Sequence, residues 1–352
     1  MRPTILEKRP SDLTLPDRMA QLPRLRLAHL PTPLEEAKAL SQALGGPRIL
    51  FKRDDLTGVG LGGNKVRKLE FIMARALAEG ADTLIVCGGY QSNLARITAA
   101  MAKRAGLRVE LVLGGVPGEP RLRQGNLLLD ELMGASVTFV ETVPRWDFGD
   151  SLEQVADKVR AQGHVPFIMP LGGSGPEGMA GYIFATLEMR EQFAAQALKP
   201  DRLVVGIGSG GTYSGLSLGV LNTDIGYRLT GISVSRTRDY LLESIPLAAR
   251  HGATELGLTN APVAADLDIH DEYVGEGYGT LTPASAEAIR LVAQAEGVFL
   301  DPVYSGKAMA GLIGLIRRGH IGRDETVVFL HTGGQPALFA YAAESLLTGA
   351  RP

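Results

Sequence analysis

Leu203-Val204-Val205-Gly206-Ile207-Gly208-Ser209-Gly210-Gly211-Thr212 reads as an apolar strand running into a glycine-rich loop. Gly206, Gly208 and Gly211 fit the spacing G-x-G-x-x-G, in which backbone N–H groups at a helix start approach an anion closely. A dinucleotide-binding loop should be answered by an acidic residue at the end of the next strand. The next strand-like stretch closes Ser233-Val234-Ser235-Arg236, without one. Thr212, Tyr213 and Ser214 add hydroxyls instead, which suits a terminal phosphate monoester better than a pyrophosphate.

The same alternation extends in both directions. Strand-like apolar runs fall at 48–52, 83–87, 108–113, 137–140, 165–169, 229–234 and 326–330. Helical spacing fills the intervals: Leu69, Ile72, Met73, Ala76 and Leu77 up to Gly80, then Leu94, Ile97 and Met101 up to Gly106, then 127–133 and 151–162. Thr282-Pro283 supplies an N-cap hydroxyl and a first-turn proline, and a last helix is expected through Ala337 and Tyr341. The strands are continuously apolar, as in parallel sheets covered on both faces, so the spacing predicts an α/β fold. Ligands of such sheets bind at the carboxyl ends of the strands. The Gly/Pro-rich stretch from Pro170 to Gly178 reads as a domain crossing, and the charged segment before Leu25 as an arm.

A length of 352 residues suits one large or two ordinary domains. With 45% hydrophobic and 21% charged residues the chain is globular rather than disordered. Its 44 glycines form no short repeat, and so mark tight loops rather than a fibrous chain. A net charge of -2 argues against nucleic acid as a partner, because phosphate backbones demand clustered positive charge. Cys87 is the single cysteine, no apolar run approaches the ~18 residues of a membrane span, and no leader is evident. A cytoplasmic protein without a membrane partner is expected. No H-E-x-x-H and no Cys/His cluster occurs, so no metal is expected.

Four more loops carry chemistry-bearing residues. Gly58-Val59-Gly60-Leu61-Gly62-Gly63-Asn64-Lys65 opens a helix, and the positive helix end disfavours the charge of Lys65, as imine chemistry requires. It is not a Walker loop, since Asn64 precedes the lysine and Val66 follows it. Gly88-Gly89-Tyr90-Gln91-Ser92-Asn93 follows a strand, with Ser92 or Asn93 as the helix cap beside an anion site. Asp301-Pro302-Val303-Tyr304-Ser305-Gly306-Lys307 and His331-Thr332-Gly333-Gly334 form a final pair, where His331 is as consistent with a structural hydrogen bond as with catalysis.

Taken in order, Gly62-Gly63-Asn64-Lys65 with Arg67-Lys68-Leu69-Glu70, Gln91-Ser92-Asn93, Gly208 to Thr212, Asp301-Pro302-Val303-Tyr304 and His331-Thr332-Gly333-Gly334 resemble the D-cysteine desulfhydrase and 1-aminocyclopropane-1-carboxylate (ACC) deaminase family. The similarity runs from Leu30 to Tyr341. It implies a pyridoxal 5'-phosphate (PLP) enzyme of fold type II, like the tryptophan synthase β chain. It also implies two α/β domains, the smaller (62–169) inserted in a larger one made from 1–61 and 170–352.

By the same resemblance Lys65 would carry the cofactor and Asn93 would bond its ring hydroxyl. Gly208, Ser209, Gly210, Gly211 and Thr212 would cradle the phosphate. Gln91, Ser92 and Asn93 would hold the substrate carboxylate, with Ser92 beside the reacting centre. Tyr278 and Tyr304 would face the substrate. Ser305 and Thr332 would lie near the ring nitrogen or beside the substrate, at positions where ACC deaminases carry Glu and Leu and D-cysteine desulfhydrases carry Ser or Thr. A hydroxyl can leave that nitrogen neutral and the ring a weaker electron sink, which suffices for loss of a thiol but disfavours ring opening.

The sequence therefore reads as a carbon–sulfur lyase of amino acid metabolism, a homodimer converting D-cysteine to pyruvate, sulfide and ammonia. Departures at Tyr90, Leu94 and Tyr213 keep L-cysteate sulfo-lyase and ACC deaminase open as alternatives. A racemase of the same fold and, from another class, a nucleotide-binding oxidoreductase are weaker ones.

Overall fold

The computed structural model describes residues 14–115, 123–141 and 148–348, so most of the expected arm lies outside the described residues. Two sheets organise the chain. The larger runs β1 (Leu34–Glu36), β2 (Arg48–Lys52), β10 (Thr326–Leu330), β7 (Arg202–Ile207), β8 (Arg228–Ser233), β9 (Asp268–His270), parallel except for the β1–β2 pair. The smaller runs β5 (Ser136–Glu141), β4 (Arg108–Gly115), β3 (Thr83–Gly89), β6 (Pro166–Ile168), and is parallel throughout.

Continuous apolar runs follow from burial on both faces. In β3, Leu84 and Val86 enter the core under helices α3 (Lys65–Ala78) and α4 (Asn93–Ala105). Ile85 and Cys87 enter the opposite core with Val155 and Val159 of α6 (Gly149–Ala161). β10 divides likewise, Val327 and Phe329 to one side and Val328 and Leu330 to the other. Both strands thus feed two cores through their period of two.

The expected crossing is shorter than its composition suggests. A single 3-10 turn, Leu171–Gly173, leads directly into α7 (Pro176–Ala195), with Pro176 in the first turn. A Cβ on Gly181 of α7 would stand 2.4 Å from the carbonyl oxygen of Arg67, so α3 and α7 meet backbone to backbone. The helix expected through Tyr341 is instead a 3-10 turn over Gln335–Ala340 with Tyr341 extended. Its N–H groups bond three residues back, Ala337 to Gly334 and Tyr341 to Leu338.

Candidate active site

The carboxyl ends of β3, β4, β7, β8 and β10 open on one cavity of about 960 Å³. Lys65, Gln91, Ser92, Asn93, Gly208 to Thr212, Tyr278, Tyr304 and Thr332 all line it. Ser305 and His331 do not.

Lys65 is delivered by a tightly pinned loop. Thr57 Oγ1 accepts from the Gly63 N–H at 2.8 Å and donates to the Gly63 carbonyl at 2.9 Å. The Asn64 N–H donates to the Thr332 carbonyl at 2.9 Å. A Cβ on Gly62, where φ is +69°, would fall 1.9 Å from the Asp55 carbonyl oxygen. α3 opens at Lys65, and two residues on Arg67 bonds Asp54 at 2.8 and 2.9 Å and Glu188 at 2.8 and 3.0 Å. Tyr182 and Thr32 also donate to Asp54, and Lys52 to Glu188.

Lys65 Nζ donates to the Gly172 carbonyl at 3.0 Å, and Lys68, one turn further on, to the same oxygen at 3.3 Å. Burial, more than the helix end that the sequence suggested, pulls the Lys65 amine down to about 8. Lys68 is drawn well below its ordinary range by burial and then by the charge of Lys65. The sequence places Lys68 in the family-like stretch Arg67-Lys68-Leu69-Glu70 without a role; its burial against Gly172 appears in the fold alone.

Opposite, α8 (Gly211–Leu221) starts from Gly210 at φ +87°, without a side-chain cap, so its first N–H groups stay open. Ser209 is held to Ser174 at 2.7 Å, and Asn64 donates to Thr212 Oγ1 at 3.1 Å. Loop amides, the Thr212 hydroxyl and the Lys68 amine together fit a phosphate monoester. Tyr213 turns away and donates to the Leu229 carbonyl at 3.1 Å inside the larger core. Gly215-Leu216-Ser217-Leu218-Gly219 matches G-x-S-x-G, but it lies within α8 rather than on a strand-to-helix elbow.

Ser92 caps α4, accepting from the Ala95 N–H at 3.2 Å. Asn93 Oδ1 accepts from Asn126 Nδ2 at 2.9 Å, which orients its Nδ2 as a donor. Gln91 is held on both sides of its amide, donating to the Gln124 carbonyl at 3.0 Å and accepting from the Asn126 N–H at 2.8 Å. Both bonds tie it to the start of α5 (Gly125–Leu132). Tyr90 packs edge-on against Phe139 with ring centres 5.7 Å apart.

Tyr278 and Tyr304 share a hydrogen bond of 2.9 Å between their hydroxyls. Burial keeps both phenols protonated, pushing Tyr304 up to about 12 and Tyr278 well above its ordinary range. Thr332 reaches the cavity wall, whereas the Ser305 hydroxyl is buried and donates to Asp301 at 2.7 Å. Asp301 also accepts the N–H groups of Val303, Tyr304 and Ser305, building the start of α11 (Ser305–Arg317). His331 is structural: its Nε2 bonds the Phe299 carbonyl at 3.0 Å and its Nδ1 accepts from Gly333 at 3.2 Å. Cys87 lines the cavity, and burial pushes its thiol up to about 11.

A family model described as "Pyridoxal-phosphate dependent enzyme" matches residues 25–333. The chain is 41% identical over 326 residues to D-cysteine desulfhydrases of Salmonella choleraesuis (strain SC-B67) and Salmonella newport (strain SL254), covering 92% of this chain and 97% of theirs. A crystal structure of an ACC deaminase homologue superposes with a TM-score of 0.85 at 37% identity, covering 95% of this chain and 98% of the other. Threonine deaminase isoform 2 from Solanum lycopersicum shares the fold at a TM-score of 0.63 and 18% identity, over 94% and 85% of the two chains.

Proposed function

The chain belongs to the pyridoxal-phosphate-dependent enzymes of fold type II, and on that premise we propose that it eliminates the thiol of D-cysteine. D-Cysteine and water give pyruvate, hydrogen sulfide and ammonia. The carrying observation is convergence: a buried primary amine of lowered pKa, an open anion-binding helix start and a pair of protonated phenols share one cavity. That relatives at 41% identity carry the name D-cysteine desulfhydrase supports the choice of substrate.

Pyridoxal phosphate, when bound, supplies an electron-accepting ring that takes up the charge left when the substrate loses its α-proton. Gly208, Ser209, Gly210, Gly211 and Thr212, with Lys68, would hold the phosphate, and Asn93 Nδ2 would donate to the ring hydroxyl. Ser92 and the first amides of α4 bind the substrate carboxylate. Lys65 would hold the cofactor, and its amine, when free and neutral, would take the substrate's α-proton. The Tyr278–Tyr304 pair donates a hydrogen bond to the departing sulfur. Thr332 would offer a hydroxyl to the ring nitrogen; Ser305 does not line the cavity and gives its proton to Asp301, so it would be no acid for the ring.

We also read the chain as two units, 62–169 within 1–61 and 170–352. Every strand of the smaller sheet comes from the first span and every strand of the larger from the second. Among the described residues no helix is long and apolar enough to cross a membrane. We place the protein in the cytoplasm as a homodimer. Exposed Leu128 and Leu132 on α5 and Phe339 on the adjoining 3-10 turn would supply apolar contact.

A product assay tests the reading. Pyruvate and sulfide should form from D-cysteine, and pyruvate from 3-chloro-D-alanine, with little 2-oxobutyrate from ACC. ACC as the better substrate would overturn the argument from Ser305 and Thr332, and turnover of L-cysteate alone would replace the substrate.

A further inference from the structure

Lys307 is a buried cation that the chemistry above does not use. It sits in the first turn of α11, its side chain fully buried, and its Nζ donates to two backbone carbonyls, Val274 and Gly277, at 2.7 Å each. No carboxylate bonds it among the described residues. Asp301, the acid whose field it feels, has its oxygens engaged by the amides of Val303, Tyr304 and Ser305 and by the Ser305 hydroxyl. An ammonium buried for two carbonyls is costly compared with an apolar side chain of the same shape. Burial accordingly draws its pKa down to about 8.

The two carbonyls belong to a loop that needs holding. Gly275, Gly277 and Gly279 have φ of +68°, +149° and +81°, and Tyr278 stands among them. Other ties on this stretch include the Val274 N–H to the Asp271 carbonyl at 3.2 Å, the Thr280 N–H to the Gly277 carbonyl at 3.4 Å, the Tyr341 hydroxyl to the Gly279 carbonyl, and the Tyr278–Tyr304 bond. Tyr304 caps the same turn of α11 that carries Lys307. One helical turn therefore sets both phenols, Tyr304 directly and Tyr278 through the carbonyl that precedes it.

We propose that Lys307 is a positioning residue, a built-in monovalent cation whose ammonium binds the Val274 and Gly277 carbonyls and so fixes Tyr278 against Tyr304 for substrate binding. This rests on the reading of Tyr278 as a substrate-facing group.

The test compares holoenzymes of wild type, Lys307→Met, Lys307→Ala and Tyr278→Phe. Methionine keeps the packing and removes the donor. Lys307→Met should retain the bound cofactor's visible absorbance, lose about a hundredfold in kcat/KM for D-cysteine, and speed amide hydrogen exchange over 274–281 while other segments stay unchanged. On the Tyr278→Phe background the same change should cost little more. In Lys307→Ala, ethylammonium should restore part of the exchange protection, and tetramethylammonium should not. Unchanged exchange in Lys307→Met, or a full further loss on the Tyr278→Phe background, would overturn the proposal. Failure of the wild type to turn over D-cysteine would sink the functional reading instead, and the exchange comparison would still judge the hold of Lys307 on its loop.

Discussion

Lys65 and Lys68 direct their amines at a single acceptor, the carbonyl oxygen of Gly172, at 3.0 and 3.3 Å. Two amines one turn apart on α3 thereby face one cavity with one good partner between them. The arrangement divides their work. A bound phosphate would give Lys68 the anion it lacks, while burial brings the Lys65 amine closer to neutrality, the form that can attack a carbonyl carbon.

Borohydride treatment of the yellow holoenzyme should fix the cofactor to the peptide holding Lys65. Lys65→Ala should abolish turnover and still retain cofactor through the phosphate loop. Mass spectrometry finding the adduct on Lys52, Lys68 or Lys307 would remove Lys65 from its role.

Lys68→Met should leave the Lys65 adduct in place and weaken cofactor retention. A charge-assisted hydrogen bond of about 1.5–3 kcal/mol corresponds to roughly ten- to a hundredfold in dissociation constant. Equilibrium dialysis against free pyridoxal phosphate measures it, and an unchanged constant would show that the loop amides suffice.

Gly211→Val should lose the cofactor, because a Cβ there would lie 2.7 Å from Ser174 Cα and displace the turn that holds Ser209. Absorbance after gel filtration reports the loss. Tight NAD binding by the native protein would favour the dinucleotide reading instead.

Lys65→Met should stabilise the cofactor-free protein. The folded pKa near 8 lies below the ordinary 10.5, so the folded state binds its proton less tightly than the unfolded chain does. Below about pH 8 the wild type carries the whole penalty, on the order of 3 kcal/mol. As pH rises from there through 10.5 the folded state has released the proton first, and the penalty disappears. Denaturant melts at pH 7 and pH 10 should show the advantage of the methionine variant shrinking, and a gap independent of pH would contradict it.

Asp54→Ala should destabilise the protein by about 3–5 kcal/mol, since it leaves the buried Arg67 guanidinium with Glu188 as its one carboxylate, beside the Thr32 hydroxyl. Holoenzyme that survives should bind cofactor less well, because Arg67 anchors the turn that presents Lys65. A chemical melt within ~0.5 kcal/mol of wild type would mean the cluster contributes little.

Most of the sheet architecture was legible in the sequence because parallel strands buried on both faces read as unbroken apolar runs. Arg48–Lys52 and Thr326–Leu330 fall where the pattern placed them. The three-residue edge strands β1 and β9 carry no such run. α7 escaped because Gly178, Ala180, Gly181 and Ala185 are small and buried where α3 and α8 press close, which leaves no polar stripe to betray a period. The site shows the same limit. Side chains on glycine-flanked loops could be named in advance, but the Gly172 carbonyl is backbone and carries no residue signature. The Ser305 hydroxyl looked available until Asp301, four residues earlier, was seen to hold it.

The position of Cys87 bears on how long the enzyme lasts. With its thiol pushed up to about 11, roughly one molecule in ten thousand carries the thiolate at pH 7. The thiolate is the form that alkylating agents, persulfides and oxidants attack. Sulfide stands at the same oxidation level as a thiol and forms no bond to it without an oxidant, so Cys87, the only cysteine and part of the cavity wall, is open only to oxidised sulfur species and other electrophiles, and its protonated state slows their attack.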